Sequence, residues 1–142
     1  MRHRLKDRKL GRNSAHRKAM VSAVVCALIE QGSIRTTLPK AKVAGSLAER
    51  MVTVARTGSA GAAEKVNAWR RAASILRRPE IVNALFTQVV PACDGRVGGY
   101  TRIIRLDRRR SDGAEMAILE WVNRPPTPKA TTKAKEKTEK KD

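Results

Sequence analysis

From Asn13 to Val90 the apolar positions recur every three to four residues, the spacing of helices that bury one face. Ala19, Ala23 and Ala27, beside Met20, Val24 and Leu28, form the first stripe. Asn13 or Ser14 can cap this helix, and Gly32 ends it after about Gln31, because glycine takes the left-handed conformation without strain. Ser33–Thr37 is short and β-branched and predicts a brief strand. Pro39 suits the first turn of a second helix, where its missing N–H is not needed. That helix carries Ala44, Leu47, Ala48, Met51, Val52 and Ala55 on its apolar face and runs to Gly58. Ser59 or Gly61 opens a third, with Ala62, Val66, Trp69, Ala73 and Leu76 facing inward. Pro79 ends it and can start a fourth, in which Ile81, Val82, Leu85, Phe86, Val89 and Val90 face the core.

The period changes after Pro91. Asp94–Gly99 reads as a loop, Tyr100–Leu106 as a strand, Arg108–Gly113 as a polar turn and Ala114–Val122 as a second strand. Two such runs around Asp112-Gly113 predict a hairpin. Residues 1–13 offer only Leu5 and Leu10 as large apolar groups, too little to offset the entropy of ordering. Residues 123–142 are rich in Pro, Lys and Thr and predict a disordered tail. The expected architecture is α+β. About four helices pack on a small sheet, made of a short strand near 33–37 and a C-terminal hairpin. The single globular domain spans 14–122, behind a basic extended arm at 1–13 and ahead of the tail at 123–142.

Charge changes the picture from fold to partner. The chain has 31 Lys and Arg against 13 Asp and Glu, a net charge of +18. Self-repulsion on that scale calls for a polyanion. Residues 1–18 hold eight basic side chains and one acid, whereas residues 19–95 hold ten against five. This is the layout of an ordinary body with basic extremities, and it favours nucleic acid. The longest apolar run, Ala23–Ile29, is far short of a membrane span. No secretory leader is visible, since charge continues to Lys18. Two cysteines, Cys26 and Cys93, imply no disulfide framework, so a cytoplasmic location is expected.

Candidate chemistry is sparse. His3 and His16 lie in or beside the basic arm without a carboxylate partner, which suits RNA contact better than general-base work. Cys26 and Cys93 belong to no metal-ligand array and read as small hydrophobes; no cofactor or metal is expected. Gly95, Gly98 and Gly99 lack the strand–glycine–helix order of a phosphate loop. Aromatic residues make up 3% of the chain, too few for a binder that works by stacking, so phosphate contact and recognition of folded RNA fit better. Trp69 and Trp121 read as core. The candidate RNA-binding residues are Arg2, His3, Arg4, Lys6, Arg8, Lys9, Arg12, His16, Arg17 and Lys18 in the arm and its helix. Lys40 and Lys42 join them beside a helix N-terminus, and Arg102, Arg105, Arg108, Arg109 and Arg110 form a cluster on the hairpin.

Three segments carry a resemblance. Met1-Arg2-His3 leads through Leu10-Gly11-Arg12 to Ala15-His16-Arg17-Lys18-Ala19. Ile34-Arg35-Thr36-Thr37-Leu38-Pro39-Lys40-Ala41-Lys42 follows, and Asp112-Gly113-Ala114-Glu115-Met116-Ala117-Ile118-Leu119-Glu120 closes the series. Together, across roughly residues 1–122, they resemble the bacterial large-subunit ribosomal protein L17 family. In that family Gly-Asp usually precedes the last strand, where this chain has Asp112-Gly113. The resemblance implies a small α/β domain that binds large-subunit ribosomal RNA near the peptide exit region, beside neighbouring ribosomal proteins. It implies a structural role without enzymatic activity, membrane attachment or a small-molecule substrate. The rival reading is a small basic nucleoid-associated protein or RNA chaperone, which would bind promiscuously. An RNA-modifying enzyme would need a cofactor loop or a polar catalytic cluster that the sequence lacks.

Overall fold

Helix α1 (Ser14–Gln31) starts where the Asn13 side chain accepts a hydrogen bond from the His16 amide at 2.8 Å, satisfying one of the unpaired N–H groups of the first turn. It stops at Gly32, whose φ of 75° is left-handed and whose N–H donates to the Leu28 carbonyl at 2.9 Å. The computed structural model describes residues 8–58 and 61–123. The first seven arm residues and the tail from 124 onward lie outside this range, and with them most of the extended arm and disordered tail that the sequence predicts. After α1 come β1 (Ser33–Thr37), α2 (Leu38–Thr57), α3 (Ala62–Leu76) and α4 (Pro79–Ala84). The fourth helical run continues through a π-helical turn (Leu85–Val89) into a last short turn, α5 (Val90–Ala92). Pro91 accounts for the widening. It has no N–H to give to the carbonyl four residues back, and its ring crowds that carbonyl.

Strands β2 (Thr101–Arg108) and β3 (Glu115–Trp121) form the expected hairpin, and β1 pairs antiparallel with the other side of β3, giving the order β1-β3-β2. Leu119 stands between Ile34 and Ile103, and Ile118 between Arg35 and Ile104. Ala117, Leu119 and Trp121 therefore share the face buried against the helices. Gly113, at φ 65°, supplies the left-handed residue of the hairpin loop, so Asp-Gly order closes this turn. The Asp112 carboxylate accepts from the Ala114 amide at 3.2 Å just beyond it.

The core is closed by a few specific ties. Trp121 is 2% exposed, and its indole Nε1 donates to the Leu28 carbonyl at 3.1 Å, joining the sheet to the end of α1. Truncating such a side chain to alanine typically costs about 3–5 kcal/mol. Glu49 on α2 accepts from both the amide and the hydroxyl of Thr101, at 2.7 and 2.8 Å, and so fixes the start of β2. Ser22 and Cys26 on α1 donate to the carbonyls of Ile75 and Leu76, satisfying orphan acceptors in the last turn of α3. Burial pushes the pKa of both Cys26 and Cys93 upward, in keeping with their expected role as small apolar residues.

Two apolar stripes differ from expectation. On α1, Ala19 and Ala23 are exposed, while Val21, Val25, Cys26, Leu28 and Ile29 are buried. On α3, Ala62 and Val66 are exposed, and Trp69 and Ala73 are only half-buried. The buried stripe is Ala68, Ala72 and Leu76. Neighbouring stripes on a helix lie about 100° apart, and packing decides between them. Helix α1 turns its larger side chains inward in place of the alanines. Helix α3 does the reverse because it lies close to α2: a Cβ on Gly58 would come within 2.9 Å of the Ala68 Cβ. Trp69 has no room in that contact and packs at the margin of the core.

Candidate nucleic-acid interface

The arm joins the body through a tight turn. Leu10 and Gly11 have φ values of 55° and 63°, and the Arg12 amide bonds the Lys9 carbonyl at 3.2 Å. The Arg12 guanidinium then donates to His16 Nε2 and to the Leu10 carbonyl, both at 3.2 Å. Arg12 and His16 thus fix the course of the chain as it enters α1. Lys9 is exposed at the same turn. Arg2, His3, Arg4 and Lys6 lie outside the described residues.

Beyond this turn, α1, α2 and the end of α3 enclose an open groove of about 1000 Å³. Arg8, Arg17 and Lys18 line it from the arm and α1, Lys42 and Arg50 from α2, and Arg77 and Arg78 from the end of α3. Among the described residues, no carboxylate lines it. Arg78 touches Glu30 at 3.6 Å, an exposed contact of the kind worth little in water. Arg77 occupies the left-handed position that ends α3, at φ 60°, where glycine is the usual residue. The sequence reading missed Arg50, Arg77 and Arg78. Their signal is helical: Arg50 lies two turns beyond Lys42 on α2, close to the same face. Lys40, expected to act with Lys42, is half-buried and does not line the groove, since two residues along a helix turn the side chain by about 200°.

The hairpin arginines form a second group, apart from the groove lining. Arg102 places Nε and Nη2 at 3.0 and 2.8 Å from one oxygen of Glu120, its cross-strand neighbour. Arg109 grips Asp112 with two hydrogen bonds, at 2.9 and 2.6 Å. That contact holds the Asp112 carboxyl below its ordinary pKa and raises the pKa of Arg109. Arg105, Arg108 and Arg110 are exposed and make no ion pair among the described residues. The pairing of β2 with β3 is irregular between Arg105 and Arg108, and both arginines border a shallow depression of about 230 Å³.

A basic groove that no carboxylate lines among the described residues is an arrangement for holding a polyanion, and comparison with known proteins bears on which one. The family model for ribosomal protein L17 matches residues 20–122. The chain belongs to the ribosomal protein L17 family. Among the relatives of this L17 chain is the large ribosomal subunit protein bL17 of Myxococcus xanthus, 45% identical over 125 residues, covering 88% of this chain and 86% of the relative. The bL17 proteins of Campylobacter lari and of a Campylobacter jejuni strain are 46% and 44% identical over 122 residues, covering 86% of this chain and 99% of each relative. The span matched by the L17 model holds most of the groove wall, from Val21 to Arg78, and the whole hairpin. Arg8, Arg17 and Lys18 precede it.

Proposed function

We propose that this protein is a structural, non-enzymatic constituent of the large ribosomal subunit, cytoplasmic and bound to ribosomal RNA and neighbouring ribosomal proteins. It grips the RNA with residues 2–18, with the groove cations they lead to, and with the hairpin arginines that have no carboxylate partner. The observation that carries this reading is the convergence of seven cations, from the arm and three helices, on one groove that no carboxylate lines among the described residues. Such a surface repels itself until phosphates neutralise it, and the counterions released from RNA then drive binding. Membership of the L17 family and the names of the relatives support the large subunit as its place. Sedimentation of a cell lysate tests the reading. Nearly all of the protein should travel with large subunits at about one copy each. A mainly free or nucleoid-bound pool would instead assign it to the promiscuous nucleic-acid binders.

A further inference from the structure

We infer that the groove between α1, α2 and the end of α3 receives an unstacked nucleotide of RNA, its base on the groove floor and its flanking phosphates on the rim. This inference rests on the RNA-binding reading above and adds the form of RNA that the site takes. The floor and the rim differ in chemistry. Val21, Cys26 and Leu76 are buried beneath the groove, and Val43, Leu47 and Ile75 are half-exposed on its walls. The polar atoms close to this floor are already occupied, since Ser22 Oγ donates to the Ile75 carbonyl and Cys26 Sγ to that of Leu76. Phosphates alone gain nothing from an apolar floor. A ligand with a flat apolar body and an anionic backbone gains from both parts.

Size and access agree. A volume of about 1000 Å³ lies at the upper end of the range of small-ligand pockets, so a base with its sugar fits without rearrangement. A regular RNA duplex keeps its bases stacked inside and cannot use the floor, whereas loops and bulges splay bases outward. Arg8, the first described residue, lines the groove beside Arg17 and Lys18, so cations stand at its entrance from α1. An acidic peptide would also match the rim, but the cations at Arg2, Arg4 and Lys6 that precede Arg8 in the sequence favour a long polyanion. Arg77 supports the same conclusion. Its left-handed backbone is one that glycine or asparagine adopts more readily than arginine, and the position places a guanidinium at the groove.

The test uses the full-length protein and two RNA hairpins of equal length, one fully paired and one with a single bulged 2-aminopurine. Filling the groove with Ala23→Leu and Ser46→Leu leaves every charge in place, and both residues are exposed, so the fold should survive. Ser74→Leu offers a second way to fill it. The wild type should prefer the bulged RNA by about tenfold, the order of a single buried base contact, with a change in 2-aminopurine emission. The filled variants should bring the preference close to one while keeping the affinity for the paired stem. Equal binding of both RNAs by the wild type, or a preference that survives filling, would overturn the nucleotide site alone. Displacement of the bulged RNA by a Glu/Leu amphipathic peptide that the filled variants no longer bind would reassign the groove to a protein partner. Failure to bind either RNA in a salt-dependent way would overturn the RNA-binding reading itself.

Discussion

The groove and the hairpin both concentrate arginine, but they differ in how much of that charge is available to a ligand. In the hairpin, Arg102 and Arg109 are held by Glu120 and Asp112 in two-point contacts, leaving Arg105, Arg108 and Arg110. In the groove, seven cations share, among the described residues, one wide exposed contact between Arg78 and Glu30. The hairpin charges are neighbours in sequence, so their cluster is conspicuous, yet strand pairing sets Arg102 opposite Glu120 and the turn sets Arg109 against Asp112. The groove charges are scattered from residue 8 to residue 78 and meet only because three helices converge. Density of charge along a chain is therefore a poor measure of charge offered to RNA. Folding can cancel a dense run and assemble a sparse one.

The comparison can be sharpened by removing the basic segment that precedes α1. Deleting residues 2–12 takes away six cations and keeps the Asn13 cap, so α1 and the core should persist. Binding through ~6–10 phosphates weakens by about three to five powers of ten between 50 and 200 mM salt. The truncated protein should bind large-subunit RNA more weakly by orders of magnitude, with a distinctly shallower salt slope. Emission from the buried Trp121 should stay unchanged. An unaltered slope would mean that the body carries the binding, through the six groove cations that remain or through the hairpin.

A smaller effect separates the cancelled hairpin charges from the available ones. Arg109 lowers the pKa of Asp112 in the folded state. The stability that this pair adds is therefore present above the ordinary carboxylate range and is lost as pH falls through the lowered value. Carboxyl NMR should find Asp112 titrating below a typical aspartate, and Arg109→Gln should return it toward the ordinary value. Because the pair is exposed, the change in stability should be slight. An Asp112 that titrates normally in the wild type would mean that Arg109 is as available to RNA as Arg105.

Much of the fold was legible because its signals are local. The Asn13 cap, the Gly32 stop, the Pro39 start and the Asp112-Gly113 turn each act through their own backbone, and each lies where the pattern of residues puts it. The inward faces of α1 and α3 were not legible. Choosing between adjacent stripes depends on how closely two backbones approach, as at Gly58 and Ala68. The exposed alanines Ala19 and Ala23 look like core in the sequence and instead border the groove. The π-helical turn before Pro91 was also hidden, because helical periodicity does not distinguish a widened turn from a regular one. For the candidate interface, the arm and hairpin were visible as charge runs. Arg50, Arg77 and Arg78 could be added only once the helices were placed.

The most direct test sets two triple variants against the same large-subunit RNA and follows affinity from low to high salt. One replaces Arg50, Arg77 and Arg78 with glutamine, and the other replaces Arg105, Arg108 and Arg110. Removing one cation that pairs with a phosphate flattens the plot of log affinity against log salt by roughly 0.7–0.9. The account predicts that the groove variant flattens the slope by about two and also weakens binding more than the hairpin variant does. A hairpin variant that flattens the slope more, beside a groove variant that matches the wild type, would contradict it.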